Sequence, residues 1–210
     1  MGRAEALARL GQVLRAQADM EAALRLDPGN VAARLALARL YKGQGLLERA
    51  GEQLRAAVRA DGAFASEALT LLGELVLRGG RPAEAERHLR RAVALRPQSV
   101  EGQALLGIIL ASQGKKEEAI PYLRRARELD STNFDATFAL GRLLSDGGQM
   151  EEGVALLREA TKQAPESVNA HLALAGALRR AGKVKEAEQE AQTAESLKQQ
   201  QQNEGNEAPR

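Results

Sequence analysis

Small and apolar residues return along this chain in a fixed order, divided by polar stretches. Gly11, Gly45, Gly80, Gly114, Gly148 and Gly182 are separated by 34, 35, 34, 34 and 34 residues. Five residues after each stands Ala16, Ala50, Ala85, Ala119, Gly153 or Ala187. Four further on are Met20, Leu54, Leu89, Leu123, Leu157 and Ala191, then three beyond those Ala23, Ala57, Ala92, Ala126, Ala160 and Ala194. Seven residues before each glycine sit Ala4, Ala38, Gly73, Gly107, Gly141 and Ala175. Five columns held in register over six units define a repeat array, which settles the architecture before any single segment is read.

Within a unit the apolar positions recur at three and four, as in Leu106, Gly107 and Leu110, then Ala119, Leu123 and Ala126. That spacing lines one face of an α-helix. Gln113–Lys116 breaks the pattern, and Gly114 can take the left-handed backbone that ends a helix. Each unit is therefore expected to be two antiparallel helices of roughly 13 residues joined by a tight turn. Asn30, Ser99, Asn133 and Ser167 precede first helices as caps, and Pro28, Pro97 and Pro165 follow second helices. The 35-residue step places one extra residue near Ala65, in a connection. Five whole units are predicted at 31–64, 66–99, 100–133, 134–167 and 168–197. A truncated first repeat occupies 1–30, with residues 2–10 left of its first helix. The Gln-rich stretch 198–210 has nothing to bury and is expected to be disordered, except that its glutamines can prolong the last helix by a turn.

The 34-residue helix-turn-helix unit, the small-residue columns, Tyr41 four before the turn glycine and Leu26-Asp27-Pro28 closing the unit resemble the tetratricopeptide repeat. The resemblance covers about residues 1–197. It implies an all-α fold, a right-handed superhelical solenoid of antiparallel helix pairs whose concave side is lined by first helices. Departures are visible. The tryptophan usual early in the first helix is replaced by Arg34, Leu69, Gln103, Thr137 and His171. Gly153 holds the small position of its second helix, where glycine costs ~1 kcal/mol relative to alanine.

Composition fits close helix packing. Aromatics make up 2% of the 210 residues while 44% are hydrophobic, so burial rests on Ala, Leu and Val. Thirty basic residues against 28 acidic leave +2 with no basic stripe, which argues against nucleic-acid binding. Without cysteine there are no disulfides, thiol nucleophiles or cysteine metal sites. No signal peptide is evident, and the longest apolar run, Leu105 to Ala111, is too short to span a bilayer. The chain reads as cytoplasmic by default, without direct membrane insertion.

No catalytic, cofactor or metal constellation stands out. His88 falls on the outer side of a second helix; His171 replaces the usual tryptophan and no nearby pattern supplies it with a partner. Gly107 with Gly114-Lys115 has the wrong spacing for a phosphate loop. Glu117-Glu118 and Glu151-Glu152 open second helices, where they suit the helix dipole. No cofactor is therefore expected and no enzyme is predicted.

What the resemblance implies is binding of a partner peptide or helix along the first helices. Two columns would face that groove: Leu35, Thr70, Ala104, Phe138 and Leu172, then Arg39, Glu74, Ile108, Arg142 and Gly176. Lys42, Arg78 and Arg179 flank them at the turn side, with Glu67, Glu101 and Asp135 at the opposite edge. The family's lysine–asparagine carboxylate clamp and its asparagine ladder are both missing from the matching positions. The leading reading is a non-enzymatic protein–protein interaction scaffold for a ligand with apolar anchors and some acidic residues. The alternative is a recruiting or regulatory module of a larger enzyme or of a membrane or secretion assembly system. The incomplete front unit leaves Leu7 and Leu10 poorly covered, a further route to self-association.

Overall fold

The computed structural model describes residues 2–60, 62 and 64–207, with side chains described for 11–60, 62 and 64–203. Among these, eleven helices and no strands occur, the all-α solenoid of antiparallel helix pairs expected from the repeat. Two compact units divide the chain at Pro97 and Gln98. The first holds α1 (Gly2–Leu26), α2 (Val31–Gly43), α3 (Leu47–Arg59), α4 (Ala65–Arg78) and α5 (Pro82–Leu95). The second holds α6 (Val100–Ser112), α7 (Lys116–Leu129), α8 (Phe134–Asp146), α9 (Met150–Gln163), α10 (Val168–Arg180) and α11 (Val184–Glu207).

The turns follow from the glycine column. Gly45, Gly80, Gly114, Gly148 and Gly182 have φ between 72° and 87°, where a β-carbon would be strained. The residue after each glycine donates its N–H to a carbonyl five residues back. Leu46 donates to Tyr41 at 2.9 Å, and Lys115 to Leu110 at 2.9 Å, closing the helix end in a Schellman-type turn. First helices open on side-chain caps: Asn30 accepts from the Ala33 N–H at 2.9 Å, Asn133 from Ala136 at 2.9 Å, Ser99 from Gly102 at 3.1 Å. Helix α4 is the exception, entered through Phe64 without a side-chain cap. Its connection carries the inserted residue, with Gly62 at φ 144°.

Packing explains the remaining columns. A β-carbon on Gly73 would stand 2.7 Å from Leu89 Cγ, and one on Gly107 would stand 2.6 Å from Leu123 Cγ. First and second helices of a pair therefore touch through the glycine of one and the leucine of the other. The alanine column Ala57, Ala92, Ala126, Ala160 and Ala194 is buried throughout. Apolar area removed from water at these seams drives the fold.

Three expectations need correction. Gly11 is not a turn: α1 runs unbroken from Gly2 to Leu26, and no hairpin forms at the front. Ala16, Met20 and Ala23 are consequently half-buried, where their counterparts Ala50, Leu54 and Ala57 are 0 to 2% exposed. The side chains of Leu7 and Leu10 lie outside the described residues. At the other end, α11 continues through Lys198 to Glu207, so the glutamines prolong the helix by more than the one turn expected of them; residues 208–210 lie outside the described residues. The third correction concerns Gly153. A β-carbon there would meet Ser145 Oγ at 2.2 Å, Ser145 N at 2.6 Å and the Gly141 carbonyl at 2.9 Å. Glycine is required at this close approach, whatever its helix propensity.

Helix α1 is held to α2 through a polar contact, the Tyr41 hydroxyl donating to Glu21 Oε1 at 3.2 Å. The Gln17 amide first, and that hydroxyl second, hold the Glu21 carboxyl below its ordinary range. Burial, and then the neighbouring carboxylate, push the Tyr41 phenol up.

Candidate functional site

The predicted groove residues fall into two groups of different character. In the first unit, Leu35 is 2% exposed and Thr70 is 6% exposed. The Thr70 hydroxyl donates back to the Ser66 carbonyl at 3.0 Å. Neither side chain is presented to a ligand; both belong to the packed interior, and the reading of them as groove residues is corrected accordingly. The charges above them are already matched. Arg39 pairs with Glu67, Lys42 Nζ lies 2.8 Å from Glu74, and Arg78 lies 3.4 Å from the same carboxylate. The side chains at 35 and 70 are thus buried, and the charges beside them are held in ion pairs.

The second unit is different. Between α6 and α8 lies a pocket of about 440 Å³ lined by Ile108, Ala111, Ser112 and Lys116 on one side. Asp135, Phe138, Ala139, Arg142, Leu143 and Asp146 line the other. Phe138 and Ile108 are half-buried, and Arg142 is exposed. The Phe138 ring stacks on Phe134 with centroids 5.5 Å apart and an 8° angle between planes. The Arg142 guanidinium lies over the Phe138 ring, 5.7 Å from its centroid. Such cation–π contact holds the planar fork in place while leaving its donors outward. Phe134, Phe138 and Arg142 share a face because they are four residues apart on one helix. Two of the three phenylalanines in the chain are in this stack.

Three predicted residues thus come together here: Ile108, Phe138 and Arg142. Leu172, 52% exposed, and Arg179, also exposed, are not among the residues lining this pocket. Lys116 and Phe134 escaped the sequence reading. The i, i+4 spacing of Phe134 to Phe138 was a usable signal; Lys116, at the start of a second helix, gave none.

Both histidines are tied to neighbours. His88 Nε2 lies 3.7 Å from Glu84 Oε1 on the same helix. His171, for which no nearby sequence pattern supplies a partner, has two contacts. Its Nδ1 is 2.6 Å from Glu190 Oε2 on α11 and its Nε2 is 3.0 Å from the Pro165 carbonyl. These contacts come from elements brought together only by folding, and they mark a structural clamp. Among the described residues no group of acidic, histidine or cysteine side chains could hold a metal ion. Nor is any helix long and apolar enough to cross a membrane.

Two family profiles, both of the tetratricopeptide repeat, match the sequence: one over residues 70–134 and 138–203, the other over 4–75. The chain belongs to the tetratricopeptide repeat family. No curated protein matches the sequence. Solved structures do. YrrB, a TPR protein with an unusual peptide-binding site, is 21% identical, with 85% of this chain and 91% of that one covered at a TM-score of 0.70. Pseudomonas aeruginosa PilF is 20% identical over 89% of this chain and 83% of its own, with a TM-score of 0.75. MamA of Desulfovibrio magneticus RS-1, from residue 41 to its end, is 20% identical over 81% and 96%, with a TM-score of 0.69. Likeness at this identity establishes the fold. Tetratricopeptide repeat proteins are generally non-catalytic scaffolds that bind protein or peptide partners.

Proposed function

We propose that this chain is a non-enzymatic interaction scaffold that takes a segment of a partner protein into the α6–α8 pocket. The observation that carries this reading is the pocket itself. It sets half-exposed Ile108 and Phe138 beside an arginine that no carboxylate of the described residues neutralises. An apolar cleft with a few convergent polar groups is the usual form of a binding site, and aromatic and arginine side chains dominate interface energetics. The reading is narrower than the groove expected from sequence, because Leu35 and Thr70 are buried and the charges beside them are ion-paired. The ligand is an apolar anchor accompanied by acidic character.

The test is capture of partner protein by immobilised wild-type chain and by two variants. Phe138→Asp combined with Arg142→Glu should reduce capture about 30-fold or more, the scale of a lost hot spot. Arg39→Ala, which disturbs only an ion pair of the first unit, should leave capture within about twofold. Equal capture by wild type and the Phe138/Arg142 variant would remove the pocket from the function.

A further inference from the structure

The charges around the α6–α8 pocket are arranged in a way that selects the chemistry of the occupant. Asp135, Phe138 and Arg142 stand at i, i+3 and i+7 of α8, which places them on one stripe. Seven residues of helix put the acid and the guanidinium about 10.5 Å apart along the axis, with the aromatic ring between. Lys116 adds a second cation to the lining of the pocket. Asp146, the other acid lining it, is engaged with Arg180 at 2.9 Å. Lys116, Arg142 and Asp135 have no ion-pair partner among the described residues. The stripe is therefore acid, aromatic, base: Asp135 and Arg142 are exposed and unpaired, and Phe138, which also packs against the core formed by α9, α10 and α11, keeps its half-exposed side in the pocket.

We propose that the occupant is an amphipathic helix of a partner protein carrying an acidic, a large apolar and a basic residue at i, i+3 and i+7. Its acid would meet Arg142 and Lys116, its apolar side chain would enter between Ile108 and Phe138, and its base would meet Asp135. The inference rests on the pocket reading above and adds the identity of the three contacts. A helix fits because Ala111 and Ala139 line the pocket. Small side chains let a third helix backbone approach two first helices, and its ridges repeat at the spacing of the α8 stripe. Opposite charges at the two ends mean that a uniformly acidic segment gains at one end and is repelled at the other.

The probes are acetylated and amidated 16-residue alanine-rich helices with a fluorescent label, read by anisotropy against the whole chain. They differ only at three positions: Glu-Leu-Lys, Glu-Leu-Glu, Lys-Leu-Lys and Gln-Leu-Gln at i, i+3 and i+7. The Glu-Leu-Lys helix should bind tightest, about two- to fivefold better for each charge than the neutral helix. Asp135→Lys should make Glu-Leu-Glu the preferred probe, and Phe138→Ala should weaken all four. Far-UV circular dichroism and thermal unfolding establish that both variants are folded. If the four probes bind alike and Asp135→Lys changes nothing while Phe138→Ala still weakens them, the charge assignment is overturned and the pocket reading stands. If no probe binds, the helix inference is overturned while the pocket reading is decided by the capture experiment; if the probes bind and Phe138→Ala changes nothing, the pocket reading falls and this inference with it.

Discussion

At the scale of single residues, glycine has two distinct uses in this chain. The turn glycines are chosen for their backbone, with φ between 72° and 87°. Gly73, Gly107, Gly141 and Gly153 are chosen for the space that their missing β-carbon leaves to a neighbour. Gly107→Val should destabilise the protein by roughly 1–3 kcal/mol, because the added carbons meet Leu123 Cγ and the Ala119 carbonyl, which can yield only by opening the seam. Gly153→Ala is the sharper case. Helix propensity alone would give a gain of ~1 kcal/mol. The contacts with Ser145 N and the Gly141 carbonyl are with backbone, which moves at higher cost than a side-chain tip. The variant should instead lose about 2 kcal/mol, measured by urea denaturation at constant m-value. A stabilised Gly153→Ala protein would show that α8 and α9 stand further apart than described.

At the scale of elements, the helices are legible from columns, but what ties one to the next is not. The last pair is joined by His171, whose two ring nitrogens reach Glu190 on α11 and the carbonyl of Pro165. His171→Ala should cost on the order of 1–3 kcal/mol, since it removes the ring's contacts with Glu190 and the Pro165 carbonyl and leaves a half-buried carboxylate without its partner. Amide exchange should then accelerate in α11 before it does in α8 or α9. Uniform acceleration would instead make His171 part of the general core. The sequence placed a histidine where the family has tryptophan and gave no hint of a partner, because Glu190 lies nineteen positions away on another helix.

At the scale of the whole chain, stability should be uneven, as in other arrays whose repeats contact only their neighbours. Ala16, Met20 and Ala23 of α1 are half-buried, while Ala85, Leu89 and Ala92 of α5 are 0% exposed. Amides of α1 around Met20 should therefore exchange at least about tenfold faster than those of α5 around Leu89. Equal protection would mean that the open stripe of α1 is covered in solution, as self-association would do. With 30 basic and 28 acidic residues, much of the surface charge is matched locally, by pairs such as Arg124 with Glu152 at 2.9 Å and Arg127 with Glu159 at 2.8 Å. What remains unmatched around the α6–α8 pocket is thereby conspicuous.

The sequence by itself determined the repeat, the helix pairs, the turn glycines and the capping residues. All of these are local, governed by backbone conformation or by contacts within one 34-residue period. It also placed Ile108, Phe138 and Arg142 on faces that could meet. Tertiary structure decided the rest. Leu35 and Leu172 share a column, yet the first is 2% exposed and the second 52%. A column records position along a helix, whereas exposure depends on what packs against it. The front glycine looks like the other five and yet lies inside a continuous helix, since glycine permits a left-handed turn without requiring one. The candidate site was reduced to one pocket because burial and ion pairs between helices take up part of the predicted groove, and no periodicity encodes them.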